Sequence, residues 1–145
     1  MIQPSSYLRI VRASAWYDIV STIGFATPWT FALTLAGLNA VSGLLGITAQ
    51  FPAFMPEHML MANLMGSLVM VWAVLRLRDT RVLYGRYDLA ARILFATWLL
   101  YALAHGGHPI IWGFVVMEVV FGVAQALPVS EAGVHGDARQ ARVAG

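Results

Sequence analysis

The chain has 145 residues, 59% of them apolar and 11% charged, where an ordinary soluble domain carries roughly a quarter charged residues. So few polar groups cannot cover a water-soluble globule, and a mean hydropathy of +0.71 points to a chain whose solvent is mostly lipid. The net charge of +2 comes from nine basic residues, all Arg, and is too small and scattered for a nucleic-acid partner, which needs a continuous basic face. The absence of Cys excludes disulfides and thiolate metal sites.

Four apolar segments, 19–36, 59–75, 89–104 and 110–127, predict an all-α, integral membrane four-helix bundle. About 20 residues cross the ~30 Å hydrocarbon layer, so these are short spans extended by their aromatic flanks. Arg9 and Arg12 precede the first segment, but Pro28 and the lack of a cleavage site favour a retained span over a signal peptide. Pro28 within that segment predicts a kink and a freed carbonyl at Gly24. The connection 37–58 is too apolar for a solvated loop and reads as a short interfacial helix. Residues 1–127 thus form one transmembrane domain, and 128–145 a polar tail expected to be loosely packed.

Orientation follows from arginine. Arg9, Arg12, Arg76, Arg78, Arg81, Arg86, Arg92, Arg139 and Arg142 lie near the chain ends or around the second connection, while 37–58 and 105–109 contain none. By the positive-inside rule both termini and the 76–88 connection are cytoplasmic, as expected of a multi-pass protein of the bacterial inner membrane.

An internal echo links Tyr17-Asp18-Ile19-Val20-Ser21-Thr22-Ile23-Gly24-Phe25-Ala26-Thr27 to Tyr87-Asp88-Leu89-Ala90-Ala91-Arg92-Ile93-Leu94-Phe95-Ala96-Thr97. It is what a parallel duplication of a two-helix hairpin would leave behind. Asp18 and Asp88 then stand at the cytoplasmic start of a span, where a carboxylate caps free N–H groups. Arg92, one turn after Asp88, is placed to pair with it. These three residues form a candidate cytoplasmic-side polar set.

Glu118 carries the most information. At ~1.5 Å per residue it lies about 12 Å into the last segment, near the midplane, where a charged carboxyl costs about 2.5 kcal/mol or more unless protonated, paired or facing a cavity. The same depth count places Thr27, Ser67 and Thr97 at that level, with Asn63 one turn nearer the outer face. The five residues form the candidate ligand-binding layer, and interhelical hydrogen bonding alone is the simpler reading of it. His58, His105 and His108 all fall on the outer face, the last two in His105-Gly106-Gly107-His108-Pro109. Imidazole with neighbouring Met or Glu57 would suit copper or zinc, and a His pair would suit haem.

With this topology and the segment Phe25-Ala26-Thr27-Pro28-Trp29, the chain resembles the small four-helix bacterial membrane proteins of the DoxX-like type. The resemblance covers most of the chain by size, topology and hydropathy. It implies an association with redox complexes and quinone-level chemistry, as an accessory subunit. No phosphate-binding Gly loop or nucleophile elbow is present, which argues against a self-contained hydrolase or nucleotide enzyme. The expected function is therefore binding of a lipid or quinone-like ligand, or a place in a membrane redox complex. The alternatives are a proton-coupled transporter, as a homodimer, using Glu118, and an outer-face metal or haem protein.

The orientation is checked by reporter fusions. Fusions at Gly46 and Gly107 are expected to report the outside, and fusions at Thr80 and Gly145 the inside; the reverse at either pair overturns it.

Overall fold

Proline fixes where three of the helices begin. Pro4, Pro28 and Pro56 each occupy the first position of a helix, where the missing N–H would be unpaired in any case and φ is already set. The computed structural model describes residues 1–130. These form α1 (Pro4–Thr22), a 3₁₀ turn (Ile23–Phe25), α2 (Pro28–Leu44), α3 (Pro56–Arg78), α4 (Val82–Ala104) and α5 (Ile111–Ala126).

The expected first span, 19–36, is not one helix. It straddles the break between α1 and α2, whose axes bend by 103°. A residue before proline is driven out of the helical region, and Thr27 is extended (φ −137°, ψ 155°). Its Oγ1 accepts the Thr30 N–H at 3.2 Å, so Thr27-Pro28 starts a new helix where the sequence pattern predicts a kink within an old one. The corner sits on α3, and a Cβ on Gly66 would meet the Phe25 carbonyl carbon at 2.7 Å. Only glycine permits this approach without a shift of backbone.

The interfacial helix expected in 37–58 is also absent. Residues 37–44 complete α2, Gly46 closes it with φ 72°, and 45–55 run without helix. That apolar stretch is held by side chains: Phe51 stacks on His108 at 4.3 Å, and its N–H donates to Asn39 Oδ1 at 3.1 Å.

α3 and α4 have 23 residues each, about 35 Å at 1.5 Å per residue, enough for the ~30 Å layer. By length and composition these two helices can cross a membrane, or three spans if the bent α1–α2 pair is one. α5, with 16 residues, is shorter.

α1 lies along α3 and α4 along α5, whereas α3 and α4 hardly touch although only a short turn joins them. The buried apolar core is small: Tyr7, Val11, Ala15, Phe31, Ala73 and Val115. Among the described residues the largest fully buried side chain is Arg76, while Leu68 and Val71 are each 69% exposed. A polar interior beneath an apolar surface is the arrangement an apolar solvent selects.

The residues before α1 and those just after α5 meet at the arginine-bearing end of the bundle. The Ile2 N–H donates to Pro128 O at 2.8 Å and the Ser130 N–H to Ile2 O at 2.9 Å, so the tail expected to be loose from Pro128 is tied down where it begins. Arg86 donates to the carbonyls of Gln125 (2.6 Å) and Leu127 (2.9 Å), closing the C-terminus of α5 with a cation. The rest of the tail, 131–145, lies outside the described residues.

Candidate functional site

Each long helix presents two polar side chains on one face at helical spacing: Ser14 and Asp18 from α1, Trp72 and Arg76 from α3, Asp88 and Arg92 from α4. α5 supplies Glu118 and Gln125 two turns apart. All eight belong to one buried network.

Arg92 reaches three carboxylates, with Nε 3.1 Å from Asp88 Oδ2, Nη2 2.9 Å from Asp18 Oδ1 and Nη1 2.9 Å from Glu118 Oε2. Arg76 pairs with Asp18 and places Nη1 2.6 Å from Asp88 Oδ2 and 3.0 Å from Ser14 Oγ. Asp88 also accepts from Trp72 Nε1 at 2.9 Å, from Gln125 Nε2 at 2.7 Å and from Ser14 Oγ at 3.2 Å. The Arg92 guanidinium lies 5.0 Å from the centre of the Phe121 ring. None of the five ionisable side chains is more than 11% exposed.

Asp18, Asp88 and Glu118 face Arg76 and Arg92: three anions against two cations, one negative charge in excess when all are ionised. Glu118 commits Oε2 to Arg92, and among the described residues its Oε1 has no hydrogen bond.

Two cavities flank the network. The larger, about 550 Å³, is walled by Phe25, Phe31, Phe54, Phe95, Trp98 and Phe114, with Tyr17, Asp18, Ser21, Thr22 and Glu118 as its polar lining. The smaller, about 490 Å³, occupies the gap between α3 and α4, where Trp72, Tyr84, Tyr87, Asp88 and Arg92 line it. Asp18 borders both.

Of the five residues expected to form a midplane layer, only Glu118 lines the larger cavity. Thr27 caps α2. Ser67 faces outward beside buried Gly66. Thr97 is exposed and its hydroxyl donates to Ile93 O at 2.8 Å. Asn63 is half-buried, and its Oδ1 has no partner among the described residues. A depth count gives the level of a residue but not its direction, and Thr97, five residues after Arg92, points about 140° away from it. The expectation that Glu118 meets Thr27, Ser67, Thr97 or Asn63 is replaced by Arg92.

Asp18 and Asp88 are not helix caps. Asp18 stands near the C-terminal end of α1 and Asp88 beyond the first turn of α4, both turned inward. The two aspartates of the echo therefore both sit in the network. Phe-Ala-Thr does not, since 25–27 is a corner and 95–97 is continuous helix.

The histidines do not converge. Among the described residues no group of three or more His, Asp or Glu is placed to hold a metal ion. His108 engages both ring nitrogens, with Nε2 2.8 Å from Ala49 O and Nδ1 accepting from the Ile110 N–H at 3.2 Å. His105 stacks on Tyr101 at 4.0 Å, and His58 meets the Phe54 ring edge-on at 6.4 Å. The imidazoles are here joints of loops and helix ends.

Ser14, Trp72, Arg76 and Gln125 were not singled out by composition or depth. Their signal is the pairing of polar residues at helical spacing, and Arg76 is hidden by ending the second span at residue 75, before the true end of α3. No family model, curated protein or solved structure matches the chain.

Arg92→Ala and Arg76→Ala each leave buried carboxylates without their counter-charge and are expected to cost about 3–5 kcal/mol. Glu118→Gln keeps an acceptor for Arg92 and removes the excess charge, so its loss stays within about 1 kcal/mol. Thermal unfolding in mild detergent checks the contrast; equal losses in all three variants would contradict the charge count.

Proposed function

We propose that this chain is a multi-pass bundle of the bacterial inner membrane that binds a lipophilic ligand. The observation that carries the reading is the larger cavity. Its volume of about 550 Å³ falls within the ~300–1,000 Å³ of ligand pockets, and its apolar wall with a few polar groups on one side is the usual pocket chemistry. A lipid or quinone-like molecule would lay its apolar body along Phe31, Phe54, Trp98 and Phe114 and set its head beside Glu118, Asp18 and Ser21. By the positive-inside rule the network end of the bundle is cytoplasmic, which puts the head in the inner half of the bilayer.

A second reading, a small proton-coupled transporter using Glu118, draws support from the smaller cavity. Arg92 lies between Glu118, which borders one cavity, and Asp88, which borders the other. A carboxylate set reached from two sides can exchange partners across the network.

Native mass spectrometry of protein released from gentle detergent is expected to retain one lipophilic molecule per chain. Ala62 lines the cavity, and Ala62→Trp should fill it and abolish retention while the helical spectrum is unchanged. No retained molecule in the wild type, or equal retention in Ala62→Trp, would contradict cavity binding.

A further inference from the structure

We infer that the larger cavity takes a cationic amphiphile, a lipophilic ammonium whose positive head sits at Glu118 and completes the charge balance of the buried network. The inference rests on the lipophilic-ligand reading and narrows it to one class of ligand.

Charge is the first argument. Three carboxylates and two guanidiniums share a site no part of which is more than 11% exposed, and an unbalanced charge in an apolar medium is costly. The missing positive charge belongs where an acceptor is open. Asp88 is saturated by Ser14, Trp72, Arg76, Arg92 and Gln125. Asp18 is held by both arginines. Of the three carboxylates, Glu118 alone has an oxygen without a hydrogen bond among the described residues, and its residue lines the cavity.

The wall is the second argument. Tyr17, Phe25, Phe95 and Phe114 line the same cavity as Glu118, and aromatic faces attract quaternary ammonium groups, more strongly when water is excluded. An anionic head would meet two carboxylates before any free cation, because the Arg92 guanidinium is already engaged by Asp88, Asp18 and Glu118.

When the cavity is empty, a proton on Glu118 balances the network. Binding is then an exchange: the ammonium enters, the Glu118 O–H breaks, and one proton leaves to solvent. The charged and titratable groups around that carboxyl are Tyr17 and Asp18 from α1, Arg76 from α3, and Asp88 and Arg92 from α4. Because protons compete with the ligand, affinity rises with pH.

The full chain in nanodiscs of a zwitterionic lipid is titrated with two probes that share one apolar body, trimethylammonium-diphenylhexatriene and uncharged diphenylhexatriene. Energy transfer from tryptophan is read, with empty nanodiscs subtracted and Trp98→Phe locating the signal in the cavity. The expected result is saturable transfer with both probes and at least tenfold tighter binding of the cationic one. One proton should be released per cation bound, and the preference for the cationic probe should vanish in Glu118→Gln. Equal affinity of the two probes, tighter binding of the neutral one, or a preference that survives Glu118→Gln overturns the inference and leaves the lipophilic-ligand reading standing. Failure of both probes to saturate overturns that reading and the inference together.

Discussion

Asp88 draws together four of the five helices: it accepts from Ser14 on α1, Trp72 on α3, Arg92 on its own helix α4 and Gln125 on α5, and it pairs with Arg76 on α3. The packing makes this hub necessary. α1 lies along α3 and α4 along α5, but α3 and α4 hardly meet, and the apolar core is confined to a few side chains. Lipid tails are as apolar as leucine, so helices in a bilayer gain little from burying leucine against leucine. The two helix pairs are joined through α1, whose Tyr7 and Val11 pack on Gly85 of α4 and whose Ser14 and Asp18 enter the buried network.

This joint explains why the interior can hold cavities. A bundle sealed by side-chain packing would leave no room, whereas one in which α3 and α4 hardly meet can remain splayed between them. The smaller cavity fills the space between α3 and α4, and the larger one lies under the corner between α1 and α2. The corner itself comes from Thr27-Pro28, which starts a helix at 103° to the one before. Glu118 belongs to both features: its Oε2 serves the joint, and the residue lines the larger cavity.

Much of the helical layout was legible in the sequence, because apolar runs of near-membrane length predict α3 and α5 within three residues at each end and the end of α4, whose polar first two turns hydropathy leaves out. The first segment was not, since hydropathy is blind to the break that Pro28 makes between two apolar helices. The site was half legible. Glu118 stands out by its depth, and Asp88 with Arg92 by spacing. Thr27, Ser67 and Thr97 share a depth with Glu118 but face elsewhere, because level along a helix says nothing about direction around it. A search for polar pairs at helical spacing would have recovered Ser14 with Asp18 and Trp72 with Arg76. The Tyr-Asp echo pointed the right way for another reason: both aspartates lie in the network, as ion-pair partners and not as caps.

The central claim is that the network, and Asp88 above all, holds the two helix pairs together. Asp88→Leu removes the shared acceptor and leaves two carboxylates with two guanidiniums, so charge imbalance cannot cause the outcome. The chain has no Cys, so spin labels go only where cysteine is introduced, at Val71 on α3, Leu94 on α4 and Val123 on α5, all exposed. Electron–electron distance measurements in nanodiscs should show the Val71–Leu94 separation lengthening and broadening in Asp88→Leu while Leu94–Val123 stays as in the wild type. An unchanged Val71–Leu94 distance in that variant would contradict the account.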